Sequence, residues 1–176
     1  FIFGFLQATT GYFSFVLHKR ECFTFRSDNY KNIGKDSKKL VDFYSRTGYG
    51  KALAYKTADK LGATICEIKT QEKTDGFFGF LWCGRFGMRR WEMPIEPISV
   101  NLEAFESVTI ISPVWVFALS SPVRTFCRIA KGKIKNVDLI SIHFSKESIT
   151  TTSRKRENCF KRKLRIIKVL FAVTEG

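Results

Sequence analysis

A short run of hydroxyl, basic and glycine residues, from Ser45 to Gly50, is the part of this chain best suited to binding chemistry. It lies between a β-type apolar run and a run with helical periodicity. Glycines let the backbone approach a ligand, and the first amides of a helix favour an anion. We predict a phosphate cradle formed by Ser45, Arg46, Thr47, Gly48, Tyr49 and Gly50. The alternative is a tight turn in which a hydroxyl only caps the helix.

A second loop, after an apolar run at 108–112, carries aromatic side chains. Trp115 and Phe117 have the flat faces needed to stack on a planar ring, and the neighbouring backbone amides can meet polar ring edges. The residues expected to line such a ring are Pro113, Val114, Trp115, Val116 and Phe117. The alternative is that Trp115 is a core aromatic at the end of a strand.

Strand-like and helix-like segments alternate from residue 37 onward, which predicts an α/β fold. Gly62 is a helix stop, and Pro122 suits the first turn of a helix. A single helical turn is expected at 102–105. We predict strands at 39–45, 63–68, 108–112, 136–144 and 166–173, and helices at 50–61, 122–130 and 149–160.

The expected architecture is a doubly wound, five-stranded parallel sheet with the strand order 2-1-3-4-5. In this order the first and third strands are neighbours, so the two loops that follow them lie side by side. Ligands of such sheets bind beyond the carboxyl ends of the strands, where the strand order reverses. We therefore expect one crevice, with a phosphate on one side and a planar ring on the other.

Three runs stand at a characteristic spacing: Tyr44-Ser45-Arg46-Thr47-Gly48, Ser112-Pro113-Val114-Trp115 and Ser121-Pro122-Val123-Arg124-Thr125-Phe126. They are similar to a "YYSRTGNT" opening and a "GSPVWxGxxxPPVRxFL" centre, and so the chain resembles the flavodoxin family, in particular flavodoxin-like domain proteins. The resemblance spans roughly 38–144. It implies a flavodoxin-like fold, non-covalently bound FMN, and a segment after His143 that closes over the far edge of the ring.

The sequence departs from the family pattern at two turns. Tyr49 and Gly50 stand where the family has Asn-Thr, so fewer donors face the phosphate. Each lost hydrogen bond to a charged group is worth about 1.5–3 kcal/mol. After the fourth strand, residues 144–146 replace the glycines that the family pattern has there.

The aromatic segment at 70–100 interrupts the alternation of strands and helices. It mixes Phe, Trp and Met with arginines and four glycines, and it is similar to a family segment, "GGFLGYLRGGYDALRGK", that is usually helical and near the flavin. We keep three interpretations open: a lid over the ring, a homodimer surface, and a segment packed on the sheet.

The N-terminal stretch 1–17 is apolar and uncharged, and a polar, basic stretch follows at 18–38. We interpret 1–37 as an extension, an apolar arm with a basic linker, and 38–176 as the flavodoxin-like domain. The net charge of +14 and a basic run at 146–168 predict an anionic partner. Peripheral association with an anionic membrane, through residues 1–20, is one expectation. Nucleic acid is not expected, because no RNP-type motif accompanies the aromatics.

Five cysteines without a CxxC pair, and two distant histidines, predict free thiols in a reducing, cytoplasmic setting and no metal site. The strongest rival to a flavin site is a nicotinamide dinucleotide site. Gly48 and Gly50 fit part of its fingerprint, and Glu67 lies where the ribose-binding acid belongs. Leu53 stands where that fingerprint needs its last glycine.

Two functional hypotheses follow. The first is an FMN protein that carries electrons or acts as an oxidoreductase, with a redox partner protein or a small acceptor such as a quinone. The second is a flavin-free scaffold of the same fold, which binds a membrane surface or a protein through its basic and apolar surfaces.

Overall fold

A computed structural model describes residues 29–143 and the strand at 164–171. In chain order the elements are β1 (Asp36–Phe43), α1 (Tyr49–Leu61), β2 (Ala63–Glu67), α2 (Gly76–Arg89), a 3₁₀ turn (Leu102–Ala104), β3 (Ser107–Trp115), β4 (Ala118–Leu119), α3 (Ser121–Ala130), β5 (Asn136–His143) and β6 (Leu164–Phe171). The predicted helix at 149–160 and most of the basic run lie outside the described residues, as does the stretch 1–28.

Five parallel strands form the sheet in the order β2-β1-β3-β5-β6. Counted along the chain without the short β4, this is the order 2-1-3-4-5, so the predicted topology is confirmed. Phe43 of β1 pairs with Ile111 of β3, and Ile111 pairs in turn with Ile140 of β5. The carboxyl ends of these three strands therefore lie at one edge of the sheet.

The sheet is apolar on both faces, as expected for parallel strands covered by helices. On one face, Leu40, Val108 and Ile110 pack with Phe126 of α3. On the other, Val41, Phe43 and Ile111 pack with Ala54 and Ala58 of α1. Alternation along β1 places successive side chains on opposite faces.

The ends of α1 and the start of α3 follow the signals in the sequence. Gly62 adopts a left-handed conformation with φ of 66°, and its N–H bonds to the carbonyls of Ala58 and Asp59. Pro122 occupies the first turn of α3. Both boundaries agree with the predictions.

Three differences from the predicted elements concern the site. The strand β3 continues to Trp115 rather than ending at 112, and it turns back into β4, which was not predicted. The segment 76–89 is a regular helix, α2. The strand β1 begins at Asp36, so the expected boundary between residues 37 and 38 falls inside the first strand. At the start of β1, Ser37 and Lys38 are exposed and Asp36 and Lys39 are half-buried, so this polar start resembles a linker in the sequence.

Among the described residues, no helix is both long and apolar enough to cross a bilayer. Cys66, Cys83 and Cys127 are buried, and none of these three forms a disulfide within the described part of the chain. Cys22 and Cys159 lie outside the described residues.

Candidate functional site

The two predicted loops meet at the edge where β1 and β3 end. The N–H of Tyr44 donates to the carbonyl of Ile111 at 3.1 Å, which joins the end of β1 to β3. The ring of Tyr44 lies edge-on to the ring of Trp115, with centroids 5.5 Å apart. Because both loops leave neighbouring strands in the same direction, Thr47 and Trp115 follow carboxyl ends at the same edge of the sheet.

The first loop enters α1 through Gly48, which has a left-handed φ of 85° that favours glycine. The first helical hydrogen bond runs from the N–H of Ala52 to the carbonyl of Gly48, at 3.0 Å. The preceding amides of the helix therefore have no partner in the helix itself. Among the described residues, neither the Ser45 nor the Thr47 hydroxyl bonds to the helix, so the capping interpretation is wrong.

Ser45 is turned inward. Its Oγ is buried and has no hydrogen-bond partner among the described residues. The start of α1 packs close to it: a Cβ added to Gly50 would lie 3.0 Å from the carbonyl oxygen of Tyr44 and 3.2 Å from Ser45 Oγ. A glycine at position 50 therefore lets the helix begin directly against the end of β1.

The loop is electropositive. No acidic residue lies in the first turn of α1. The guanidinium of Arg46 donates to the carbonyl of Thr74 at 3.2 Å and lies 5.6 Å from the ring centroid of Phe80. This contact fixes the cation beside the loop and ties the loop to the segment that leads into α2.

The second loop is a two-residue hairpin with a strained backbone. Val116 and Phe117 connect β3 to β4 and have φ values of 47° and 61°. Turns with two left-handed residues normally use Asn and Gly, and a β-branched residue there is an outlier. Such strain costs about 1–3 kcal/mol per residue and concentrates at functional sites.

Several contacts hold the hairpin in this conformation. At its base, the Ser112 hydroxyl lies 3.1 Å from the Ser120 hydroxyl, and the Ser120 N–H donates to the carbonyl of Pro113 at 3.1 Å. At its tip, Arg90 donates to the carbonyl of Val116 at 2.8 Å. In the sequence, Arg90 is only one of the arginines of the aromatic segment, because its role depends on a contact across 26 positions of the chain.

The side chains of the second loop differ in exposure. Pro113, Val114 and Trp115 are half-buried, whereas Phe117 is 74% exposed. Trp115 also packs against the core on its inner side. Trp115 is therefore in part a core aromatic, and the ring-lining role of its accessible part stays a prediction.

The inner face of α2 covers this region, through Gly79, Cys83, Phe86 and Gly87. A Cβ added to Gly87 would lie 3.2 Å from Trp115 Cβ. Burial raises the pKa of the Cys83 thiol to about 12 and raises the pKa of Tyr44 above its ordinary value. The inner face of α2 is thus packed, as expected if segment 70–100 packs on the sheet, whereas the outer face of α2 is exposed.

Arg124 fastens α2 to α3. Its guanidinium donates to the carbonyl of Phe86 at 3.2 Å, to the carbonyl of Trp91, and to the Ser121 hydroxyl at 2.8 Å. The sequence analysis named Arg124 only as part of a motif. The contacts show that it positions the C-terminal end of α2, and thereby the hairpin that Arg90 holds.

His143 is the last residue of β5, next to β3, and so lies at the same edge of the sheet as the two loops. The segment that follows it lies outside the described residues. All twelve predicted site residues therefore lie at, or directly after, the ends of three strands at one edge of the sheet.

Glu67 ends β2, and its carboxylate lies 3.9 Å from the ammonium of Lys51 in α1. The acid proposed for a dinucleotide ribose is thus engaged with the helix that follows the first loop. Both side chains are more than a third exposed, and such a pair is weak, so the dinucleotide interpretation stays a prediction.

A second polar feature lies inside the sheet. Asp42 of β1 is fully buried, and neither carboxylate oxygen has a partner at hydrogen-bond geometry among the described residues. Burial raises its pKa to about 7, and the neighbouring Cys66 thiol offsets this only partly. Asp42 and Cys66 line a cavity of about 130 Å³.

Solved structures with a similar fold are flavoproteins. A flavoprotein in complex with FMN from Lactobacillus acidophilus NCFM is 19% identical, with a TM-score of 0.59 over 76% of this chain and 92% of that chain. A putative flavoprotein from Bacteroides eggerthii DSM 20697 is 18% identical, with a TM-score of 0.60 over 77% and 91%. One from Bacteroides uniformis ATCC 8492 is 16% identical, with a TM-score of 0.53 over 74% and 89%.

No protein-family model matches the chain, and no curated protein matches it in sequence. At identities below 20%, the similarity to the solved structures concerns the fold. The strand order, the two adjacent loops and these structures agree, and the chain has a flavodoxin-like fold.

Proposed function

We propose that the chain binds FMN in the crevice between the loop at 45–50 and the hairpin at 113–117, and uses it to transfer electrons. The observation that carries the proposal is the position of these two loops after neighbouring parallel strands, at the reversal of strand order. One solved structure of this fold contains FMN. The donor groups and flat side chains of the two loops match the two ends of that cofactor.

The first loop supports the phosphate end. The helix start offers backbone N–H groups and the positive end of a dipole, and Arg46 adds a fixed cation. Ser45 Oγ is buried without a partner, a state that costs about 1–3 kcal/mol. A rotation about χ1 that turns this hydroxyl toward a bound phosphate relieves that cost. The residues therefore fit a dianion.

The change from the family's Asn-Thr to Tyr49-Gly50 has a structural counterpart. At position 50 a side chain would crowd the carbonyl of Tyr44, so the glycine brings the helix amides closer to the loop. We infer that backbone donors replace the missing side-chain donors, in part, in this chain.

The second loop supports the ring end. The Trp115 ring lies edge-on to the Tyr44 ring, and α2 packs against the Cβ of Trp115, so the side chain is anchored at both points before a ligand arrives. The exposed Phe117 adds a second flat surface at the tip of a hairpin that is rigid because Arg90 and Ser112 secure it. Preorganised aromatics bind at a lower entropic cost.

Bound FMN supplies one- and two-electron redox chemistry, which the chain's own side chains do not. The residues of the chain bind the phosphate, orient the ring and exclude water from its inner face. The net charge of +14 favours docking to an acidic redox partner or attraction of an anionic acceptor. An electron carrier and an oxidoreductase would both use this site, and the two are distinguished by whether the electron acceptor is a protein or a small molecule.

A visible spectrum with an FMN titration tests the proposal. We expect purified protein that is yellow, or that binds added FMN with quenching of flavin fluorescence, and that bleaches with dithionite. Thr47→Ala should weaken binding about tenfold, because one donor to a charged group is lost. Thr57→Ala, in the middle of α1, is the control and should leave the affinity unchanged. Protein that ignores FMN at all concentrations refutes the proposal.

The second candidate function, a flavin-free scaffold, is favoured by one observation: the exposed apolar face of α2. The basic surfaces of the chain would then bind an anionic membrane or a protein. Flotation of the full chain with anionic and with neutral vesicles separates membrane binding from the FMN proposal, and loss of flotation on deleting residues 1–20 would assign it to the apolar arm.

A further inference from the structure

The outer face of α2 carries large apolar side chains that project into solvent. Phe78, Leu81, Trp82 and Met88 are 83%, 51%, 40% and 65% exposed. Leu81 and Trp82 follow Phe78 by three and four residues, and Met88 follows Leu81 by seven, so all four lie on one side of the helix, opposite the buried Gly79 and Cys83 face. Large apolar side chains clustered on one exposed surface are typical of a surface that another molecule covers.

Charges of opposite sign lie at the two ends of the same face. Asp75 stands at the start of α2, with Glu72 just before it. Arg85 and Arg89 stand toward its end, where both guanidinium groups lie over the ring of Trp91, at 5.6 and 4.9 Å from its centroid. Within residues 29–143, none of the ion pairs uses Asp75, Arg85 or Arg89.

We propose that this face binds the same face of a second copy of the chain, with the two α2 helices antiparallel. Trp82 lies midway between Asp75 and Arg89, seven residues from each. A two-fold axis near Trp82 therefore brings Asp75 of each copy opposite Arg89 of the other. This arrangement is self-complementary, as a symmetric dimer interface requires.

The apolar centre of the face suits this pairing. The aromatic rings of Phe78 and Trp82 lie between the charged ends, and aromatic and arginine side chains are those enriched at protein interfaces. A groove of about 890 Å³ runs along the helix, lined by Glu72, Asp75, Phe78, Trp82, Arg85 and Met88. It gives the projecting side chains of a second α2 a place to enter.

The face is also rigid before binding. Gly79 packs against the backbone of Thr74, and Gly87 packs against Trp115. Arg124 bonds to the carbonyl of Phe86, on the last turns of the helix. A helix fixed at three points presents its outer residues without rearrangement, which lowers the entropic cost of association.

The charge pattern distinguishes a second copy from a lipid surface. A helix that lies on an anionic membrane has a polar face rich in Lys and Arg. Here Glu72 and Asp75 stand at one end of the face with Lys73 between them, so that end is net acidic and does not attract anionic headgroups. A partner with the opposite polarity, which an antiparallel copy supplies, satisfies both ends.

Sedimentation equilibrium of the full 176-residue chain tests the proposal, with and without added FMN. We expect a monomer–dimer equilibrium, with a species of twice the 20.3 kDa chain mass at micromolar concentrations. Arg89→Glu and Asp75→Arg should each weaken the dimer at least tenfold. The double variant, Asp75→Arg with Arg89→Glu, should recover most of the affinity, because the pairs reform with reversed signs.

Two matched controls keep the result specific. Lys56→Glu makes the same change in charge as Arg89→Glu on the exposed side of α1 and should leave the dimer intact. Phe78→Ser should weaken the dimer without lowering the melting temperature of the monomer, whereas Ile129→Ser on α3 should leave association unchanged.

Three outcomes would overturn the inference. A chain that stays monomeric at about 100 μM lacks the interface. A dimer that survives all three single α2 substitutions, or whose charge swap is not rescued, associates through another surface. A monomer that floats with anionic vesicles, and loses flotation on Phe78→Ser, uses the face for lipid instead.

Discussion

A Cβ built on Gly50 would stand 3.2 Å from the hydroxyl oxygen of Ser45, so the first turn of α1 leaves this buried hydroxyl no room for a neighbouring side chain. Ser45 Oγ has no hydrogen-bond partner among the described residues. A protein that gains nothing from a buried hydroxyl in its folded state can still gain from it when a ligand arrives. This relationship leads to the first prediction.

Ser45→Ala should separate stability from binding. In flavin-free protein, the free energy of unfolding should stay the same or rise by about 1–3 kcal/mol, because a buried group without a partner is removed. The affinity for FMN should fall about tenfold, because a donor to the phosphate is lost. Urea denaturation and fluorescence titration measure the two effects.

Ser112→Ala is the matched control for that prediction. The Ser112 hydroxyl is buried with partners, at 2.9 Å from the carbonyl oxygen of Pro113 and 3.1 Å from the hydroxyl of Ser120. Its loss should lower the unfolding free energy by about 1–2 kcal/mol. Equal destabilisation by both variants would show that Ser45 has a partner in the folded chain.

Phe117→Gly should stabilise the flavin-free protein. Phe117 has a φ of 61° and is 74% exposed, so glycine relieves strain and sacrifices little burial. After allowing for the greater freedom of glycine in the unfolded chain, we expect a gain of about 0.5–1 kcal/mol by urea denaturation.

Lys56→Gly places the same residue at an exposed, right-handed position in α1 and should instead cost about 0.5–1 kcal/mol. If Phe117→Gly destabilises the protein by as much as Lys56→Gly does, the hairpin is not strained. A loss of FMN affinity in the Phe117 variant would show in addition that its ring contacts the ligand.

Gly79→Ala and Gly84→Ala should have opposite effects, although both add one methyl group to α2. A Cβ at Gly79 would lie 2.3 Å from the carbonyl carbon of Thr74, whereas a Cβ at Gly84 has nothing within 4 Å. We expect Gly79→Ala to cost about 1–3 kcal/mol through overpacking. Gly84→Ala should add about 0.5–1 kcal/mol through helix propensity.

Thermal unfolding followed by circular dichroism measures both glycine variants. Thr74 also accepts a hydrogen bond from Arg46, so Gly79→Ala should weaken FMN binding as well as the fold. A Gly79→Ala variant as stable as the wild type would mean that α2 does not pack as closely as the structure places it.

Asp42 should make stability fall as the pH rises. Burial raises its pKa from 3.8 to about 7, so the folded state binds this proton more tightly than the unfolded chain does. This contribution to the free energy of unfolding is fully present below about pH 4 and is lost as the pH rises through about 7. The full change is roughly 4 kcal/mol, since each pKa unit corresponds to about 1.36 kcal/mol.

Asp42→Asn removes that dependence. The unfolding free energy of the variant minus that of the wild type should therefore be larger at pH 7.5 than at pH 4. Urea denaturation at several pH values measures it. Asp36→Asn is a control of opposite sign. The side chain of Lys39 and the N–H of Lys38 lower the Asp36 pKa, so its small contribution is present above its pKa and lost in acid. An unchanged pH profile in the Asp42 variant would contradict the prediction.

Much of the fold could be read from residue patterns. The apolar run at 108–111 predicted a strand covered on both faces, and these residues are buried in β3 between two layers. Gly62 predicted the end of α1 because few other residues adopt its left-handed φ. These signals are local, since they depend on the residue itself and its nearest neighbours.

The parts of the site that the sequence analysis missed depend on contacts between distant residues. Arg90 reaches Val116, and Arg124 reaches Phe86 and Trp91, across 26 to 38 positions of the chain. The hairpin at 116–117 was missed for another reason. Its residue types do not favour a left-handed turn, and only the surrounding contacts impose one.

The sequence by itself determined the α/β alternation and the two loops whose residue types suit a phosphate and a planar ring, because periodicity, glycines and hydroxyls act over a few residues. The strand order depends on pairing between distant strands, and the structure establishes it. The tertiary structure decided the direction of each side chain: Ser45 turns inward, Asp42 is buried without a partner, and α2 packs one apolar face while exposing the other. Those outcomes depend on which surfaces pack against each other, and this packing is decided by contacts between segments that are distant in the chain.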